Sequence, residues 1–99
     1  MAMTITEKIL AAHAGRERVS PDELIEVRVD LALANDITAP MAIRVFNELG
    51  KDEVFDRQKV ALIQDHFVPN KDIASAQQVK LMREFARKHQ IGHFFELGK

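Results

Sequence analysis

Val60-Ala61-Leu62-Ile63 is an unbroken apolar run, flanked by the polar Lys59 and Gln64. A run this short, with no alternation of wet and dry positions, fits a strand buried on both faces of a parallel sheet. Parallel neighbours cannot be joined by a hairpin, so such a strand requires helical crossovers on either side of it. The flanking sequence supplies them.

Upstream, Asp36-Ile37-Thr38-Ala39-Pro40 predicts a helix start, with Asp36 or Thr38 as cap, Pro40 in the first turn and Gly50 as terminator. Its expected buried stripe is Met41, Ala42, Val45, Phe46 and Leu49. Downstream, Pro69 confines residues 65–72 to a loop, and Asp72 or Ser75 caps a helix running to about residue 90, closed by Gly92. Ile73, Ala76, Val79, Met82, Phe85, Ala86 and His89 form its predicted inner face.

Further out, Thr4-x-x-Glu7 is a capping box for a helix to Ala14 that ends at Gly15 and reads as an amphipathic lid. The β-branched alternation of Leu24, Ile25, Val27 and Val29 predicts a strand over about 24–30, and His93 to Leu97 a last one. The order α-β-α-β-α-β defines an α/β fold, with alternating helices and parallel strands in an open, three-layer-type sheet. At 99 residues there is room for one α/β segment. The final strand has no covering helix after it, so residues 1–99 read as a fragment of a larger fold.

Fourteen Lys and Arg against fifteen Asp and Glu leave a net charge of -1, not the positive field that phosphate binding requires. Lys80, Arg83, Arg87 and Lys88 do cluster, but without Trp or Tyr to stack bases they read as a solvated helix face. Neither a nucleic-acid partner nor a membrane is expected, since no apolar stretch approaches the ~18 residues of a span. A cytoplasmic location is the expectation. The absence of cysteine excludes disulfides, thiolate metal sites and a cysteine nucleophile. No glycine-rich phosphate loop is present.

Ligands of open α/β sheets bind at the carboxyl ends of the strands, which here carry Asn35-Asp36-Ile37-Thr38 and Gln64-Asp65-His66. A carboxylate beside an imidazole favours the protonated ring and can orient it as a proton donor. Neighbouring residues face opposite ways on a strand, so Asp65 and His66 can pair only in a turn, failing which His66 must find another carboxylate. His13 and His89 continue apolar stripes and read as hydrogen-bonded packing residues. His89 and His93 have the spacing of a metal-binding pair on a helix, but Gly92 breaks that face, and no metal ligand is assigned.

Three stretches together resemble the opening of the aconitase superfamily: residues 4–13, residues 30–40 from Asp30 to Pro40, and residues 60–72 from Val60 to Asp72. The likeness runs in order along nearly the whole chain. It implies an iron-sulfur hydro-lyase that isomerises a hydroxy di- or tricarboxylic acid, of the 3-isopropylmalate or homocitrate type, by dehydration and rehydration in leucine or lysine biosynthesis. It implies Asp65 and His66 as the catalytic pair, His66 being the acid that serves the leaving hydroxyl. Asn35 falls where aconitases carry a substrate-contacting Gln, and Asp36 and Thr38 would line the same substrate-binding loop. A [4Fe-4S] cluster and a small partner subunit are also implied, with the cluster's cysteines lying outside these residues. The segment alone is expected to be inactive. The rival expectation is a non-catalytic binding or assembly module whose exposed sheet edge pairs with another chain or another copy.

Overall fold

The computed structural model describes residues 2–98 and divides the chain into two compact units, Met1–Asp30 and Leu31–Lys99. In the first unit, α1 spans Ile5–Ala14. Its capping box is complete: the Glu7 N–H donates to Thr4 Oγ1 at 3.1 Å and the Thr4 N–H to Glu7 Oε1 at 3.0 Å. Gly15 ends the helix with φ +67, a left-handed conformation that a Cβ would disfavour. Ile5 and Ile9 are exposed.

Residues 24–30 are not a strand. They pair with no strand among the described residues, and Leu24 is 99% exposed. The period-two alternation is real, but an extended segment becomes a strand only where a neighbour accepts its hydrogen bonds.

The second unit holds β1 (Ala32–Asn35), α2 (Ala39–Glu48), a 3₁₀ turn at Arg57–Lys59, β2 (Val60–Ile63), α3 (Ile73–Lys88) and β3 (His93–Phe95). The strands form one open sheet in the order β1-β2-β3, all parallel, as the apolar run at 60–63 requires. Ala34, Leu62 and Phe94 make a row across the sheet. Two crossovers of one hand, stepping in one direction, put α2 and α3 on the same face. There Ala39 and Ile43 of α2 meet Leu62 and the Met82, Phe85 and Ala86 of α3. Phe46 stands edge-on to Phe85 at 5.5 Å.

Asp72 caps α3, accepting the Ser75 N–H at 2.8 Å while Ser75 Oγ accepts the Asp72 N–H at 3.3 Å. The helix closes at Gln90, which takes φ +53, rather than at Gly92. Gly92 instead lies beside the 3₁₀ turn: a Cβ there would come within 2.6 Å of Gln58 Oε1, the mobile tip of a long side chain, and its N–H donates to the Arg57 carbonyl at 3.0 Å.

The inner faces of both crossover helices differ from expectation. α2 buries Ala39, Pro40 and Ile43 and half-buries Phe46, while Met41, Val45 and Leu49 are 56–68% exposed and Ala42 is exposed with them. The helix is apolar on two sides, so periodicity could not choose between them. In α3, Ile73 and Ala76 lie outside the core, and Val79, Met82, Phe85 and Ala86 lie inside it.

Met82 has no exposed surface and sits where both helices meet the sheet. Met82→Ala is expected to cost about 2–5 kcal/mol of stability, read as a lower denaturation midpoint at unchanged slope. A shift within about 0.5 kcal/mol would show that the core lies elsewhere.

Candidate active site

Asn35 pairs with Ile63 across parallel strands, so the loops after β1 and β2 leave the sheet at one edge. They are joined by Asp36. Its side chain has no exposed surface, its Oδ1 accepts the His66 N–H at 3.1 Å and its Oδ2 accepts the Phe67 N–H at 2.7 Å. Two backbone donors that would otherwise need water are thus held by one buried carboxylate.

The chain bends at His66 and Phe67, directly after Asp65, and the side chains of Asp65 and His66 meet there. His66 Nδ1 lies 2.7 Å from Asp65 Oδ1 and 3.8 Å from Asp36 Oδ1. The hydrogen bond that Nδ1–H donates to Asp65, then the charges of Asp65 and Asp36, hold the imidazole above its ordinary pKa. His66 in turn holds the Asp65 carboxyl below its usual range. With Nδ1–H directed to the carboxylate, Nε2 is the donor left to a bound molecule. Both side chains are about half exposed, so the pair orients the ring more than it stabilises the fold.

Asn35 and Thr38 are engaged locally. Asn35 Oδ1 accepts the N–H groups of Ile37 at 2.9 Å and Thr38 at 3.0 Å, together with the Thr38 hydroxyl at 3.2 Å. Thr38 Oγ1 accepts the Asn35 N–H at 3.0 Å. Asn35 therefore closes the turn before α2, the job expected of Asp36 or Thr38, neither of whose side chains caps the helix. Its amide nitrogen remains the group available to a ligand.

Asp36, Asp65 and His66 bring one potential ligand atom each within 4.8 Å of one another. Both oxygens of Asp36 accept backbone donors and His66 Nδ1 bonds Asp65, so these groups are tied into one hydrogen-bonded assembly. Gln64 is also buried, its N–H donating to the Phe95 carbonyl at 2.9 Å and its Nε2 to the Val79 carbonyl at 3.5 Å. Phe67 is held from its other side, Asn70 Nδ2 donating to its carbonyl at 2.7 Å. Sequence reading found Asp65 and His66 but not the reach of Asp36, which spans 30 and 31 positions. Its one local signal is that it continues the inward side of Ala34 past the strand end.

His13 and His89 have other partners. In the first unit His13 Nδ1 lies 2.8 Å from the Ile9 carbonyl and its Nε2 2.6 Å from Asp30 Oδ2, contacts that raise its pKa, the Asp30 hydrogen bond foremost. His89 is buried against Phe85 and Phe46, at 4.3 and 5.3 Å between ring centres, but its buried Nε2 meets no hydrogen-bond partner among the described residues, so at that nitrogen it packs without the bond expected of it.

Three similar proteins carry one name. The chain is 59% identical over 99 residues to the 3-isopropylmalate dehydratase large subunit of Thermodesulfovibrio yellowstonii, covering 24% of that protein. It is 61% identical over 99 residues to that of a Thermoanaerobacter species and 58% identical over 99 residues to that of Aquifex aeolicus, covering 23% of each. The whole chain is matched each time, yet it spans about a quarter of the length of these relatives. No protein-family model matches it. No helix among the described residues is long and apolar enough to cross a membrane.

A histidine NMR titration is expected to place the His66 pKa above the ordinary value of about 6.5, and Asp65→Asn to lower it. The His66 contribution to stability is complete below the unfolded-state pKa and is lost as pH rises through the folded one; the Asp65 contribution is lost as pH falls through its depressed pKa. An unmoved His66 titration in the variant would show that the pair does not form in solution.

Proposed function

We propose that this chain is a segment of the large subunit of a 3-isopropylmalate dehydratase, an aconitase-type hydro-lyase, and forms the opening α/β part of a larger domain. What carries the reading is identity of 58–61% over the entire chain to proteins of that name. The relatives' shared name favours 3-isopropylmalate over homocitrate as substrate and leucine biosynthesis as the pathway. The exposed apolar side of α2, with Met41, Val45 and Leu49, supports a segment that packs against further polypeptide. The partner is a small subunit, and the enzyme works in the cytoplasm.

In the proposed reaction a hydroxyl leaves one carbon of the substrate as a proton leaves its neighbour, and water then adds back with the positions exchanged. Protonated His66, oriented by Asp65, gives its Nε2 proton to the departing oxygen, which leaves as water, and takes a proton back when water adds. Asn35 offers its amide N–H to a substrate carboxylate or hydroxyl, while Thr38 fixes the Asn35 side chain. The base comes from residues outside this segment. The family's [4Fe-4S] cluster needs thiolates, and this chain has no cysteine, so these residues do not hold it and no step here runs through it.

In the full-length subunit, assembled with its partner and cluster, His66→Ala is expected to lower turnover of 3-isopropylmalate by about 10²- to 10⁴-fold, the range of a lost general acid. Turnover near that of the unmodified enzyme would remove His66 from the mechanism.

A further inference from the structure

We infer that Asp36 is a positioning residue of this site: its carboxylate grips the backbone of His66 and Phe67 and so sets where the imidazole stands, without touching substrate. The inference rests on the reading of His66 as the proton donor.

Three observations carry it. Asp36 has no exposed surface, so a ligand at the rim finds no atom of it to contact. Both of its oxygens accept main-chain donors, at 3.1 and 2.7 Å, one of them from the residue whose side chain would do the chemistry. The substrate class is polyanionic, and a carboxylate aimed at it would repel it. Asp36 ties the turn after β1 to the loop after β2, a connection that strand pairing, ending at Asn35 and Ile63, does not make.

The physical consequence is a precision effect. Asp36→Asn keeps one carbonyl oxygen and turns the other acceptor into an NH₂ group facing an N–H. One loop amide is then unpaired and the charge-assisted character of both bonds is lost. Misplacing a reacting group by about 1 Å can cost about 100-fold in rate. In the assembled full-length enzyme Asp36→Asn is expected to lower kcat about 10- to 100-fold, with KM for 3-isopropylmalate within about threefold.

The decisive measurement is a double-mutant cycle with His66→Ala. A residue that acts through His66 has nothing left to position once the imidazole is gone, so Asp36→Asn should cost less than about threefold in that background. An equal loss with and without His66 would overturn the inference and mark Asp36 as a plain stability residue. A raised KM at unchanged kcat would overturn it in favour of substrate contact. Should the variant fail to fold, amide hydrogen exchange on the unmodified enzyme decides. The His66 and Phe67 amides are expected to exchange at least about tenfold slower than exposed ones, and exchange at the exposed rate would dismiss the clamp. His66→Ala with near-normal turnover sinks the functional reading instead, and leaves the exchange result to report on the clamp itself.

Discussion

One buried carboxylate holds the candidate site together. Strand pairing brings the ends of β1 and β2 to the same edge, but pairing stops at Asn35 and Ile63 and says nothing about the loops beyond. Asp36 extends the order to His66 and Phe67, taking the main-chain donors of both. Remove that acceptor and the bend at residues 66–67 loses its fixed relation to the sheet. The Asp65 and His66 contact is then a local pair on a loose loop rather than a feature of the fold.

This arrangement separates three tasks that a sequence motif merges. Asp65 sets the protonation and orientation of the ring, and Asp36 sets the location of the backbone that carries it. Asn35 spends its carbonyl oxygen on the turn before α2 and keeps its amide nitrogen for other use. Three polar residues within reach of one another thus have different partners, and only their burial and bonding tell them apart. On the proposed reading, the side chains open to substrate are His66 and Asn35.

What could be read without coordinates follows a physical line. Signals written within a few residues survived: the Thr4 and Glu7 box, the Asp72 cap, and the four-residue run of β2. Signals that depend on a distant neighbour did not. Residues 24–30 alternate like a strand but pair with no strand among the described residues, whereas Ala32–Asn35, poor in β-branched residues, is a strand because β2 lies beside it. α2 offered two apolar sides, and the choice between them is made by Leu62 and Met82, not by its own sequence. The Asp65 and His66 pair was legible because adjacency restricts its geometry. The reach of Asp36 to residues 66 and 67 was not, since no spacing rule links a strand end to a loop so far along the chain.

His13 carries a further implication. The Ile9 carbonyl and the Asp30 carboxylate, which flank its ring, can only receive hydrogen bonds, so both bonds exist together only while the imidazole bears two protons. The fastening of α1 to residue 30 is therefore an acid-dependent clasp. A base strong enough to strip one proton must leave one of those acceptors facing a lone pair.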